Sequence, residues 1–302
     1  MEKTLNLVNP NDVLSCKYKI SRFPDGQQSI RILEHEYTTY NSLMEQSTSI
    51  FIKSRLNTFQ DLELIICANQ ALKEIGVKSV KLYIPYCIGG RSDRKFQEGG
   101  INYIKTVIAP ILNSQNFDGV SIMDPHSDVL EACINNFVKL DNFYLGSMAL
   151  KDIYGNKYNH EDICLVSPDA GAYKKVFDFA SKYGIKNIIT AAKVRDMETG
   201  EIIRTEVPNL HIADLDHELK YVIVDDICDG GRTFIELAKV IRKLRPNSEI
   251  YLVVTHGIFS AGFGELGEYF DGIYTTNSIK NISNMGTSST LKPINFKQFN
   301  IF

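Results

Sequence analysis

Residues 221–234 read YVIVDDICDGGRTF, and the polar half of that stretch carries much of the chemistry the sequence offers. Asp225 and Asp226 adjoin each other at the end of an apolar run, and Asp229, Gly230, Gly231, Arg232 and Thr233 follow. Adjacent carboxylates can accept hydrogen bonds from sugar hydroxyls or reach a magnesium ion through water. Glycines allow positive φ and a close backbone approach. A helix starting just after them presents free N–H groups and a positive dipole end. A phosphate suits such a turn. The plainer reading is a tight turn with Asp229 capping the helix.

Further polar clusters follow apolar runs of the same kind: Arg91/Asp93/Arg94, Asp124/His126/Asp128, Asp169 and Thr255/His256. Ligands of an open parallel sheet gather beyond the carboxyl ends of its strands. Acids, a histidine and arginines collected at such a rim suit a metal–polyphosphate substrate. No G-x-x-x-x-G-K-[ST] is present, so any nucleotide site is not a P-loop. His126 alone would read as a satisfied core histidine; Asp124 and Asp128 beside it favour a site.

The elements that must position these residues show in the hydrophobic pattern. The first 55 residues read as short strands, LNLVN, CKYKISRF, SIRIL and SIFIKSRL, with a turn at FPDGQQ. TFQDLELIICANQALKEIGV then places Leu62, Ile65, Ile66 and Leu72 at helical spacing. After it a strand, a polar or Gly-rich turn and a helix recur, at VKLYIPY–CIGGRSDRK, VSIMDPHSD–VLEACINNF and ICLVSPDAGA–YKKVFDFASKYG. They recur again at YVIVDDICDGGRT–FIELAKVIRKLRP and IYLVVTHGIFSAG–FGELGEYF. This predicts an α/β protein with mainly parallel sheets flanked by helices. Residues 141–160 break the rhythm without a clear core stripe, so the expected domains are 1–145 and 146–302. The terminal PINFKQFNIF is left open between a free tail and a segment packed back on the body.

Bulk properties exclude several classes. The 302 residues carry 33 Lys plus Arg against 36 Asp plus Glu, a net charge of −3. No basic bias points to nucleic acid or an anionic membrane. No apolar run approaches the roughly 20 residues that span a bilayer. MEKTLNLVNP has no signal-like apolar core, and the six scattered cysteines include no C-x-x-C pair, so a cytoplasmic protein is expected.

VDDICDGGRT resembles the phosphoribosyl pyrophosphate loop of type I phosphoribosyltransferases. Most of the chain, roughly residues 1–280, resembles ribose-phosphate pyrophosphokinase. The matching segments are RFPDGQ (22–27), IPYCIGGRSDRK (84–95), IMDPHSD (122–128), VSPDAGAYKK (166–175), KVR (193–195) and VVTHGIFS (253–260). The resemblance implies two similar type I phosphoribosyltransferase-like domains and a homo-oligomer, often a hexamer. It implies transfer of the β,γ-diphosphoryl group of Mg–ATP to the anomeric hydroxyl of ribose 5-phosphate, releasing AMP. It also implies roles by position. Phe23, Asp25 and Gln27 match a turn that receives adenine from the adjoining subunit; Arg91 and Asp93 match an ATP-binding stretch. His126 matches a histidine beside the ATP phosphates and Mg2+, and Asp169 a metal-binding aspartate. Lys193 and Arg195 match mobile-loop cations; Asp225, Asp226, Asp229 and Thr233 match the ribose-phosphate site.

Some positions depart from the family pattern. Where the family has D-T-x-G-T, this chain has Asp229-Gly230-Gly231-Arg232-Thr233: a hydroxyl has become Gly230 and a glycine has become Arg232. Losing a side chain opens space beside the phosphate, and a guanidinium can grip an extra phosphate oxygen. The acceptor could then be larger, such as ADP-ribose; alternatively Arg232 points away along the helix. Gln27 replaces Glu, Ser92 replaces Gln and Pro125 replaces Leu. FQEGGIN after Lys95 lacks the stretch that carries the usual phosphate and ADP regulation. An inactive regulatory relative and a phosphoribosyltransferase remain as other readings. Retention of His126, Asp169, Lys193 and Arg195 argues against the first, and the motifs of the first half against the second.

Overall fold

A strand that leads into a helix returns the chain to the start of its sheet, so successive strands run parallel. The computed structural model describes residues 2–33, 49–155, 160–195, 202–208, 219–282 and 294–302. The chain divides into two units, Met1–Asp141 with Phe302, and Asn142–Ile301.

Unit 1 starts with β1 (Glu2–Asn6), the antiparallel hairpin of β2 (Tyr18–Arg22) and β3 (Gln28–Ile32), and β4 (Ser49–Lys53). Helix α1 (Phe59–Glu74) follows and leads into β5 (Ser79–Tyr83). A π turn at Ile104–Ile108 runs into α2 (Ala109–Ser114), and β6 (Gly119–Met123), α3 (Val129–Cys133) and β7 (Phe137–Leu140) complete the unit. The order β1-β4-β5-β6-β7 is parallel throughout. Thr58 fixes the start of α1: its hydroxyl accepts from Asp61 N at 3.1 Å, and the Asp61 carboxylate accepts from Thr58 N at 2.8 Å. Leu62, Ile65 and Leu72 are buried as their spacing predicts, and Ile66 packs at the edge of the same core. After VKLYIPY the turn is longer than the repeating unit suggests: 84–102 form no helix, and the helical segment comes only at Ile104–Ile108.

Unit 2 holds α4 (Phe143–Tyr154), β8 (Ile163–Ser167), α5 (Tyr173–Tyr183), β9 (Asn187–Thr190) and the hairpin of β10 (Ala192–Arg195) and β11 (Ile202–Glu206). It continues through β12 (Lys220–Cys228), α6 (Arg232–Leu244), β13 (Ile250–Gly257), α7 (Gly264–Tyr269), β14 (Gly272–Thr276) and β15 (Asn295–Phe299). Its main sheet runs β15-β14-β13-β12-β8-β9, all parallel. Every residue of β8, β13 and β14 is buried, as strands covered on both faces must be.

The first half of the stretch read as a break is helix α4, which buries Leu145, Gly146, Ala149, Leu150 and Ile153. Two of those five are glycine and alanine, so the stripe is weak in side-chain hydrophobicity while strong in packing. Gly146 is required there: a Cβ would lie 2.2 Å from Phe179 Cε2 on α5. The residues of PINFKQFNIF form β15, paired with β14, and bind α4 as well. Asp152 accepts from Tyr274 Oη at 2.8 Å and from Asn295 Nδ2 at 3.0 Å, and forms an ion pair with Lys297. Among the described residues, no helix is long and apolar enough to cross a membrane. Gly146→Ala should destabilise unit 2 by about 1–3 kcal/mol through overpacking, seen as a lower urea midpoint with unchanged slope.

Candidate active site

The strand order of unit 2 reverses between β8 and β12, since β8 leads outward to β9 whereas β12 leads the other way to β13. A crevice at the carboxyl ends of two such strands is where an open α/β sheet binds ligands. Three carboxylates occupy it: Asp169 just past β8, and Asp225 and Asp226 near the end of β12. Asp169 Oδ1 accepts from Ala172 N at 3.0 Å, which folds the chain into α5. Lys175, on that helix, reaches Asp226 Oδ2 at 2.8 Å. Asp225 Oδ1 accepts from Asp226 N at 2.9 Å.

Burial and the charge of Asp226 raise the Asp225 carboxyl from 3.8 to about 7. Cys228, the last residue of β12, is also pushed up to about 12, chiefly by burial. The rim therefore offers hard carboxylate oxygens and no thiolate. That donor set fits magnesium, which takes one or two carboxylates together with substrate phosphates. Among the described residues, no group of three or more His, Cys, Asp or Glu forms a metal cage.

The glycine loop is positioned from two sides. Gly231 stands at φ 84°, in the left-handed region, and a Cβ on it would press against Leu266 of α7 at 3.1 Å. It opens α6 with no side-chain cap, and the Phe234 and Ile235 N–H groups both donate to its carbonyl. Asp229 is not the cap; its Oδ1 accepts from Ser260 Oγ at 2.6 Å. Ile258 N and Phe259 N both donate to the Cys228 carbonyl, so the loop after β13 clamps the loop after β12. Gly230 is a different glycine. A Cβ there would meet Ser260 Oγ at 3.8 Å and Ala261 at 4.0 Å, both ordinary contacts. Arg232 is exposed, and Thr233 is half-buried in the first turn of the helix. His256 is buried, with Nδ1 2.9 Å from Ser278 Oγ.

Unit 1 gathers a second set. Arg91 and Asp93 lie on the loop after β5, and His126 on the loop after the neighbouring β6. The Asp93 carbonyl accepts from Asn102 Nδ2, and Gly89 turns at φ 73° because Tyr103 fills the space a Cβ would take. Asp124 is buried at φ 44°, a left-handed conformation that is strained for a non-glycine, and its N–H donates to Leu140 O at 2.7 Å. His126 is exposed, and beside it the buried Ser127 hydroxyl has no hydrogen-bond partner among the described residues. Phe23, Asp25 and Gln27 share the tip of the β2–β3 hairpin, all exposed. Phe23 N donates to Gln27 O at 2.9 Å, and Gln27 N to Asp25 Oδ1 at 3.1 Å. Lys193 and Arg195 lie on β10, and their side chains lie outside the described residues.

No protein-family model matches the chain. The ribose-phosphate pyrophosphokinase of Pyrococcus furiosus is 29% identical over 265 residues, covering 86% of this chain and 85% of that protein. The chain is homologous to the ribose-phosphate pyrophosphokinases. The Pyrococcus abyssi enzyme of that name is 28% identical over 265 residues, with 86% and 84% covered. The one from Helicobacter hepaticus is 27% identical over 270 residues, with 89% and 81% covered. The fold is likewise similar to the crystal structure of phosphoribosylpyrophosphate synthetase from Mycobacterium smegmatis. That likeness has a TM-score of 0.74 at 17% identity, covering 99% of this chain and 94% of that one. Lys175 and Ser260 lie inside segments that carry the family resemblance, but sequence gives them no role: their acids are 51 and 31 positions away.

The raised Asp225 carboxyl sets a pH dependence. Between its ordinary 3.8 and about 7, the unfolded chain has released a proton that the folded chain keeps. Folded stability therefore falls as pH rises through that window. Asp225→Asn removes the loss, so its melting advantage over wild type should grow by about 1–3 kcal/mol from pH 5 to pH 8.

Proposed function

We propose that the chain is a ribose-phosphate diphosphokinase: it transfers the β,γ-diphosphoryl group of Mg–ATP to the anomeric hydroxyl of ribose 5-phosphate, giving phosphoribosyl pyrophosphate and AMP. The observation that carries this is the switch-point crevice of unit 2. There an acidic pair adjoins a glycine loop that opens α6 on a left-handed Gly231. Homology to proteins of that name supports the same reading.

In this reaction the anomeric oxygen attacks the β-phosphorus in line. The bond from that phosphorus to the α-phosphate oxygen breaks, AMP departs with that oxygen, and the hydroxyl proton passes to solvent. The protein contributes position and charge rather than covalent chemistry. The N–H groups at the start of α6 and the Thr233 hydroxyl bind the 5-phosphate. Asp225 accepts from ribose hydroxyls. Arg91, Asp93 and His126 hold the ATP phosphates, and Phe23, Asp25 and Gln27 take the adenine of a neighbouring subunit in a homo-oligomer. Lys193 and Arg195 close on the transferring group, where two cations stabilise the charge that develops. Magnesium, when bound with ATP, neutralises phosphate charge, and His126 and Asp169 are the residues assigned to it. Free thiols at all six cysteines suit a cytoplasmic setting.

A second reading concerns the acceptor. Gly230 has room for a side chain, and Arg232 is exposed at the head of α6. An acceptor whose 5-phosphate carries a further phosphoryl group, such as ADP-ribose, would use that space and that guanidinium.

AMP release from Mg–ATP, measured separately with ribose 5-phosphate and with ADP-ribose, tests both readings. Release with either supports the diphosphokinase, and release mainly with ADP-ribose selects the larger acceptor. No release with either favours a regulatory relative. Lys193→Ala and Arg195→Ala should each lower kcat by about 10²–10³-fold with unchanged melting. Near-normal rates in the folded variants would reject their role. Arg232→Gly should weaken the larger acceptor more than ribose 5-phosphate; equal effects would reject selectivity.

A further inference from the structure

Asp225 and Asp226 are neighbours in sequence but lie on opposite faces of the sheet. Along β12 the even positions Val222 and Val224 pack with Val176 and Phe179 of α5. The odd positions Tyr221 and Ile223 pack with Phe234, Ile235 and Leu237 of α6. Strand side chains alternate, so Asp226 continues the α5 face and Asp225 the α6 face, the side of the glycine loop. Lys175 confirms the assignment. It rises from α5 to Asp226 Oδ2 at 2.8 Å, with the Lys175 side chain 21% exposed and that of Asp226 6% exposed. A carboxylate so enclosed needs a fixed counter-charge, and losing one partner leaves the other charge buried. Asp226 also donates its backbone N–H to Asp225 Oδ1 at 2.9 Å, so the paired acid aims its neighbour.

We propose that Lys175 is a positioning residue for the acceptor site. It holds Asp226 as a strut on the α5 face, and Asp226 in turn orients Asp225, the carboxylate that receives the acceptor's hydroxyls. This deepens the diphosphokinase reading and rests on it. The two acids then have unequal roles: Asp225 meets the ligand, whereas Asp226 works through Lys175 and the backbone.

The test uses the full-length protein with Mg–ATP and whichever acceptor, ribose 5-phosphate or ADP-ribose, the wild type turns over. Lys175→Met should raise the acceptor KM about tenfold while the ATP KM stays within about twofold, and Lys175→Arg should restore most of the loss. The double variant Lys175→Met/Asp226→Asn should be no worse than the worse single, since both changes break one contact. The same neutral pair keeps the experiment decisive if Lys175→Met alone fails to fold, because it leaves no buried lone charge. Asp225→Asn should raise the acceptor KM further than any of them. An unchanged acceptor KM in Lys175→Met, additive losses in the double variant, or a larger defect in Asp226→Asn than in Asp225→Asn would each overturn the proposal. If wild type releases no AMP, the diphosphokinase reading fails, and calorimetric binding of ribose 5-phosphate and ADP-ribose then decides. A loss of binding in Lys175→Met that Lys175→Arg restores sustains the positioning role, and no binding to wild type removes it.

Discussion

Lys175 meets Asp226 at 2.8 Å where the strand order of unit 2 reverses, and the architecture of the site follows from the need for that contact. A strand covered on both faces has no place for an uncompensated charge. β12 nevertheless carries two carboxylates near its end. One is neutralised by a lysine sent up from α5. The other has its carboxyl held at about 7 by burial and by its neighbour's charge, so an incoming ligand meets a group near its titration point. The acids stand near the carboxyl end of the strand, Asp226 still enclosed and compensated by Lys175. Asp124, Asp169 and His256 likewise lie beyond or near the ends of their strands.

The fold was legible wherever hydrophobic runs met turn chemistry. Parallel, doubly covered strands leave runs such as ICLVS and IYLVV that need no alternation to be recognised, and Thr58 with Asp61 marks a helix start by itself. What could not be read depends on packing at a distance. Helix α4 looked like a break because Gly146 and Ala149 carry little hydrophobicity, yet they let it lie against Phe179. The unit begun at VKLYIPY–CIGGRSDRK does not reach its helix until Ile104, because the intervening chain folds as a loop over which Tyr103 packs on Gly89.

The site divided along the same line. Short-range chemistry announced the glycine loop, and Gly231 shows why: only a left-handed residue lets Leu266 sit beneath the turn. The two glycines proved unlike, since Gly230 is not demanded by sterics at all. Asp229, the expected cap, is instead bound by Ser260 from the next loop. Contacts between residues 31 or 51 positions apart leave no periodic signal in a single sequence, so both Ser260 and Lys175 could be quoted within their motifs without their roles being seen.

Asp152 lies in the first helix of unit 2, and its partners Tyr274, Asn295 and Lys297 lie in the last two strands, the lysine 145 residues away. Closing so long a stretch of chain costs entropy before any contact repays it, and parallel pairing adds shorter separations, 57 residues between β8 and β12 being the longest. The sheet of unit 2 therefore includes contacts that no local piece of the chain makes alone. Without β15, the backbone groups along the outer edge of β14 would stand unpaired. Strand β15 is thus the cover of that edge, and α4 anchors it through Asp152.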